Sequence, residues 1–285
     1  MVFVPNSVSD FKWRRSVLFM PATNQRALEK APQLGNDAII FDLEDAIAGE
    51  SKIMAHQNLL SHVKDTDFAN KERIIRIGDK ADLKVALDCK PDAILLPKVE
   101  KPEAVVELEK ALLKEAPETK IWAMIETPMG LLNVQKIASA SNLLECLVVG
   151  PNDLMKATGV KAQSGRAALQ PWLMMIIAAA RAYGLTVLDG VYNNFKNHAG
   201  FAEEADQAAK MGFDGKTLIH PSQIAPANQA FGPQDLEIDQ ARKIIAAFDL
   251  PENRGKGVIQ FEGIMLERLH LEQATALLEI SSWLK

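Results

Sequence analysis

Residues Ala38–Asp45 read AIIFDLED, four apolar residues followed by three acids within the next four positions. A continuous apolar run this short suits a strand buried on both faces, the situation of a parallel sheet covered by helices. Seven further runs repeat the design: SVLFMP (Ser16–Pro21), IIRI (Ile74–Ile77), AILLPK (Ala93–Lys98), IWAMIE (Ile121–Glu126), CLVVGPND (Cys146–Asp153), TVLDG (Thr186–Gly190) and KTLIH (Lys216–His220). Helix-length segments separate most of them. Eight β/α units over roughly 200 residues predict an α/β fold of the (β/α)8 TIM-barrel type, with chemistry at the C-terminal ends of the strands. Those ends nominate Asp42, Glu44, Asp45, Arg76, Lys98, Glu126, Asp153, Asp189 and His220. So many acids with an arginine and a lysine at one mouth suggest a metal-assisted site for an anionic substrate.

The β/α regularity stops after His220. The reading places a catalytic barrel at residues 1–232 and a C-terminal helical extension at 233–285, acting as a lid or oligomer contact. In that extension QDLEIDQARKIIAAFDL reads as a helix, PENRGKG as a flexible polar loop, GVIQFEGIML as an extended or turn segment, and RLHLEQATALLEISSWL as a closing helix. Within the barrel, WLMMIIAAA (Trp172–Ala180) is apolar nearly all round, so it is either deeply packed or part of a subunit interface.

With 285 residues, 48% hydrophobic and 24% charged, the chain has the composition of a soluble globular protein. A net charge of −5 argues against nucleic acid as a partner. No stretch approaches the ~18 apolar residues of a membrane span, and no signal-peptide pattern is evident, so a cytoplasmic location is expected. Cys89 and Cys146 lie too far apart for a CxxC motif. GxGxxG, Walker A, GxSxG and HExxH patterns are absent, which removes support for nucleotide, hydrolase-elbow and zincin readings.

Glu126 and Asp153 form the sharpest pair. They close neighbouring predicted strands, and adjacent strands lie about 4.8 Å apart. Two carboxylates so placed can hold one Mg²⁺ while leaving positions open for water and substrate; alternatively each caps the helix that follows. Asp42, Glu44 and Asp45 are costly to crowd together without a cation or basic neighbours. They hold the waters of the ion, or form a network with Arg15, Arg76 or Lys98 that closes the barrel mouth, and the two readings are compatible. Arg76 is suited to grip a carboxylate and stabilise a developing enolate. Lys98 can contact substrate, act as a Schiff-base nucleophile or pair with the FDLED acids. His220 reads as structural or as a base.

With these residues placed, the chain resembles the HpcH/HpaI aldolase and citrate lyase β-subunit superfamily. The motifs that carry the likeness are RRSVLFMPATNQRALEKA, DAIIFDLEDAIA, AILLPKVE, MIETPMGLLNVQKIA, VVGPNDL and GFDGKTLIHPSQI, in this order. The resemblance, closest to the citrate-lyase-like and malyl-CoA lyase or thioesterase branch, implies a Mg²⁺-dependent barrel that makes or breaks a carbon–carbon bond beside an acyl thioester. It assigns the metal to Glu126 and Asp153 and the substrate carboxylate or enolate contact to Arg76, and implies that Asp42, Glu44 and Asp45 support the metal through water; Glu126 and Lys98 join Arg76 as candidates for substrate binding. It also implies a homotrimer or homohexamer, in which a neighbour's C-terminal lid brings an acid to the site. In the malyl-CoA branch that acid is an Asp in a GxMID segment; here the segment is Gly263-Ile-Met-Leu-Glu267, so Glu267 stands in its place. Two other departures touch the thioester side of the pocket: the turn after the first run is PATN in place of the commoner PGN or PGT, and the loop after Arg76, GDKADL, is short. The implied function is a lyase of a short 3-hydroxy-dicarboxylic acyl-CoA of the malyl-CoA or citramalyl-CoA type. An acyl-CoA thioesterase, a metal-dependent 2-oxo-acid aldolase and a citrate lyase β subunit needing an acyl-carrier partner remain as alternatives.

Overall fold

The computed structural model describes residues 12–44, 51–161 and 164–284. Eight strands close into a parallel barrel in sequence order: β1 (Ser16–Pro21), β2 (Ala38–Asp42), β3 (Glu72–Arg76), β4 (Ala93–Leu96), β5 (Lys120–Ile125), β6 (Leu144–Val149), β7 (Thr186–Asp189) and β8 (Gly215–Leu218). The expected TIM barrel is therefore present. Closure pairs Ser16 with Lys216, Val17 with Thr217 and Leu18 with Leu218.

Around it run α1 (Gln25–Lys30), α2 (Lys52–His62), α3 (Lys80–Asp88), α4 (Pro102–Glu115), α5 (Pro128–Leu132), α6 (Val134–Ala138), α7 (Pro151–Thr158), α8 (Gln170–Ala182), α9 (His198–Met211) and α10 (Ile224–Phe231). Local chemistry sets several of their ends. Asp79 caps α3 by accepting from the backbone of Ala81 and Asp82, while Asp82 reaches back to the Asp79 amide. Prolines occupy the first turns of α4, α5 and α7, where a missing N–H leaves no bond unmade.

Side chains alternate across each strand, so every second residue fills the barrel. The interior holds Val17, Ala38, Ile40, Ile74, Ala93, Leu95, Trp122, Met124, Cys146, Val148 and Leu188, with Phe19 packed against them. Arg14 lies over the face of Trp122 at 5.0 Å and is fixed by Glu72 and Glu145. The helix containing WLMMIIAAA packs deeply through one face only. In α8, Leu173, Ile176, Ile177 and Ala180 are buried, while Met174 and Met175 remain about half exposed.

The chain divides into two compact units, one spanning Arg14–Ala230 and a second built on the C-terminal segment from Phe231 onward. In the second unit α11 (Asp235–Asp249), an antiparallel hairpin of β9 (Val258–Phe261) and β10 (Ile264–Glu267), and α12 (Arg268–Ser282) share one core. That core includes Ile244, Phe248, Ile259, Leu266, Ala274, Leu277 and Ile280.

The PENRGKG loop carries local structure. Pro251–Asn253 forms a 3₁₀ turn, the Asn253 amide donates to the Ala247 carbonyl, and Arg268 donates to the carbonyls of Lys256 and Gly257. Residues beyond Gly255 cannot swing away from α11 without exposing a shared apolar core. No helix among the described residues is long and apolar enough to cross a membrane.

Candidate active site

A cavity of about 260 Å³ opens at the C-terminal mouth of the barrel. Its acids and base are Asp42, Arg76, Glu126 and Asp153; Phe19, Met124, Val191 and Ile219 supply apolar wall, and Asn152 and Asn193 stand at its edge. The strand ends named from the sequence thus converge, though not all of them.

Glu126 follows β5 and is almost completely buried. Its Oε1 accepts the backbone N–H of Lys98 at 2.7 Å. Gly150, at the end of β6, approaches so closely that a Cβ there would lie 2.4 Å from Glu126 Oε2; the carboxylate occupies the space a side chain would need. Burial raises the Glu126 carboxyl to about 7 against the pull of the Lys98 amide, with the charges of Glu44 and Asp153 adding to the rise. Asp153 is the third residue of α7, in a first turn that favours negative charge. Gly190 packs against the Pro151 ring that begins this helix, which fixes where Asp153 is presented.

A buried carboxyl with a raised proton affinity, held beside a second acid, is what a divalent cation relieves, so the donors fit Mg²⁺. Among the described residues no three His, Cys, Asp or Glu side chains form a ready metal cage. Mg²⁺ commonly takes one or two carboxylates and completes its shell with water and substrate oxygens.

Arg76 ends β3 and is buried. Asp42 grips it bidentately, accepting from Nε and Nη2 at 2.7 Å each, while Nη1 faces Glu44 at 3.0 Å and the Phe19 ring lies 5.0 Å away. Asp42 is thereby an anchor for Arg76, and Glu44 bridges Arg76 and the ammonium of Lys98. Of the two readings of these acids, the basic network describes what they touch. Asp45 lies outside the described residues. Arg15 pairs with Asp37 through its backbone N–H and guanidinium. Lys98 sends its ammonium to Glu44, the salt-bridge reading, and does not line the cavity.

Asp189 is a correction. It ends β7 one residue after Leu188, which points into the barrel, so Asp189 points outward. There it binds Lys216 Nζ at 2.6 Å and Arg166 Nη1 at 2.8 Å, both buried, while Lys216 also reaches Glu204 and the Gly190 carbonyl. His220 caps the turn Pro221–Gln223, exchanges a hydrogen bond with Ser222 and stacks on Phe195 at 4.6 Å; the structural reading describes it. Sequence reading missed Asn152 and Asn193, whose carboxamides bond reciprocally at 2.7 and 3.2 Å. Asn152 sits in the quoted GPND motif, but nothing in the sequence pairs it with Asn193. Glu267 is exposed at the end of β10, where its backbone N–H donates to His270 Nδ1.

The HpcH/HpaI aldolase/citrate lyase family pattern matches residues 15–221, and so spans the whole barrel. The chain belongs to this family. Among its relatives is a (3S)-malyl-CoA thioesterase of Cereibacter sphaeroides, 45% identical over 266 residues that cover 91% of this chain and 92% of that protein. The citrate lyase subunit beta of Haemophilus influenzae is 32% identical over 281 residues, covering 94% and 97%. The crystal structure of CitE from Mycobacterium tuberculosis in complex with magnesium, acetoacetate and coenzyme A superposes with a TM-score of 0.76 at 30% identity, covering 94% of this chain and 97% of that one. Family membership agrees with a barrel whose two mouth carboxylates suit a divalent cation.

Proposed function

We propose that this chain is a Mg²⁺-dependent carbon–carbon lyase acting on a short 3-hydroxy-dicarboxylic acyl-CoA of the malyl-CoA or citramalyl-CoA type. The observation that carries the proposal is the meeting of Glu126, Asp153 and a rigidly held Arg76 in one cavity. Glu126 and Asp153 would hold the ion. When bound, it supplies Lewis-acid polarisation of the substrate's carboxylate and adjacent hydroxyl. Cleavage takes the hydroxyl proton, breaks the C2–C3 bond and leaves its electron pair on the thioester enolate. Arg76 offers fixed positive charge where that negative charge develops, and Asp42 and Glu44 keep the guanidinium from reorienting. A proton returned to the enolate carbon completes the acyl-CoA product and releases a 2-oxo acid.

Glu267 is the acid proposed to handle that last proton, delivered by a neighbouring subunit of a homotrimer or homohexamer. It is exposed, and it shares the outer face of the β9–β10 hairpin with Val258 and Met265, both substantially uncovered. Glu267→Ala should lower kcat with little change in metal affinity. Mixed oligomers of Glu267→Ala and Glu126→Gln subunits should regain activity, because some sites then draw both parts from unaltered chains. Mixed oligomers without recovery would remove the acid's action in trans. Buried, free Cys89 and Cys146 suit a reducing cytoplasm.

One relative supports a second outcome at the same site. The 45% identical protein is a thioesterase, which would send water to the thioester carbon in place of breaking the C–C bond. Incubation with malyl-CoA and Mg²⁺, following 2-oxo acid and free thiol separately, tests the proposal. Equal amounts of glyoxylate and acetyl-CoA are expected. Free CoA and malate without glyoxylate would make the enzyme a hydrolase, and no turnover of malyl-CoA or, in the same assay, of citramalyl-CoA would overturn the substrate class.

A further inference from the structure

Lys98 has a backbone conformation that its residue type disfavours. Its φ is +49°, in the left-handed region where a Cβ crowds the backbone. The flanking chain leaves little choice. Val99, buried, donates its N–H to the Met124 carbonyl at 3.2 Å and resumes the pairing with β5. On its other side α5 packs so tightly that a Cβ on Gly130 would lie 2.3 Å from the Val99 carbonyl oxygen.

This turn directs the Lys98 N–H at Glu126 Oε1, 2.7 Å away. The ammonium of the same residue reaches Glu44. One residue therefore fixes two acids from strands on opposite sides of its own neighbourhood: Glu126 after β5 through the backbone, and Glu44 after β2 through the side chain.

We infer that Lys98 is a positioning residue whose left-handed backbone amide occupies one oxygen of Glu126, so that the carboxylate presents a single oxygen, Oε2, to the divalent cation. The inference rests on the proposed metal role of Glu126. A carboxylate with one oxygen committed to an N–H donor is a one-point ligand. That suits Mg²⁺, which demands a near-ideal octahedron and keeps its waters, better than a cation that takes both oxygens of a carboxylate. The amide also fixes the orientation of Glu126 before the ion arrives, as partners behind a metal ligand generally do. The backbone is the operative part, and the ammonium serves the Glu44–Arg76 network.

The two contributions separate in a comparison of Lys98→Gly with Lys98→Val. Glycine adopts the left-handed conformation freely and keeps the N–H, while losing the ammonium. Valine loses the ammonium equally and opposes the conformation. Mn²⁺ alone, titrated by electron paramagnetic resonance, is the probe, and circular dichroism verifies folding. Lys98→Gly is expected to bind Mn²⁺ within about threefold of the unaltered protein, and Lys98→Val about tenfold more weakly, the equivalent of the lower end of backbone strain energies. If the valine variant does not fold, Lys98→Ala replaces it and is expected to bind less tightly than Lys98→Gly. Equal loss in the glycine and β-carbon-bearing variants, or no loss in either, would overturn the inference. Absence of Mn²⁺ binding by the unaltered protein would instead overturn the metal reading beneath it.

Discussion

Two sides of the barrel mouth carry similar charge and use it oppositely. On the β2–β5 side Asp42, Arg76 and Glu126 line the cavity, with Glu44 and Lys98 interlocked behind them. On the β7–β8 side Asp189, Lys216, Arg166 and Glu204 form an equally dense network, but Asp189 and Lys216 point away from the barrel axis. In sequence FD after an apolar run and LD after an apolar run look the same. Alternation along the strand decides between them: Asp42 stands two residues beyond inward-facing Ile40, whereas Asp189 stands one beyond inward-facing Leu188. A charge at a strand end belongs to the site only if it has the parity of the core residues below it.

The largest effect expected from this contrast is on stability. Asp189 is fully buried; burial alone would raise its carboxyl, and Lys216 and Arg166 together hold it below the ordinary carboxylate value. Asp189→Asn leaves two buried cations short of a counter-charge and should cost about 3 kcal/mol in denaturant unfolding. Turnover of the protein that remains folded should change less than about threefold, since this group faces away from the cavity. A large loss of kcat with unchanged stability would erase the distinction between the two sides.

Next in size is the effect of Arg76→Lys on the inward side. The ammonium keeps the charge but cannot hold Asp42 through two parallel bonds, so the positive centre loses its fixed place. A fall of about 100-fold in kcat/KM is expected, equivalent to roughly 2.7 kcal/mol at the transition state. Near-normal kinetics would make Arg76 a structural group like Arg166.

These contrasts mark what the sequence makes legible. Apolar runs and intervening periodicity specify the barrel because burial of both sheet faces leaves few alternatives, and all eight strands lie where the runs place them. Glu126 and Arg76 are legible as candidate site residues for the same reason: each is a charge set at the end of its apolar run. The partners of these residues are not legible. That Asp42 grips Arg76, that Lys98 reaches Glu44 across β3, and that Asn152 meets Asn193 depend on loop paths and strand stagger, which local residue preferences do not encode. The C-terminal unit shows the opposite bias. Its helices are periodic and readable, but the core shared by Phe248, Ile259 and Leu277, which joins the segments on either side of PENRGKG, is not.

The smallest expected effect is a pH dependence that sets the two sides against each other by sign. Glu126 titrates near 7 in the folded chain without metal, against an ordinary value of 4.5. Between these values the folded state binds more protons than the unfolded state, so this group makes stability fall as pH rises through the window. The linkage reaches at most about 3.4 kcal/mol above pH 7, and relaxation of the site around the ionised carboxylate leaves a smaller part of it in the measured stability. Asp189, with its proton affinity lowered, contributes stability above the unfolded carboxylate value that is lost only in stronger acid. In EDTA, Glu126→Gln should therefore raise the melting temperature at pH 8 and do little at pH 5, though it removes the proposed metal ligand. Saturating Mg²⁺ should raise the melting temperature of the unaltered protein most at pH 8, where the ion meets an ionised carboxylate without proton competition. If Glu126→Gln is no more stable than the unaltered protein at pH 8 in EDTA, the buried carboxylate is already compensated by the protein itself. The contrast would then lose its physical basis, because both sides of the mouth would hold their charges neutralised and only the direction they face would distinguish them.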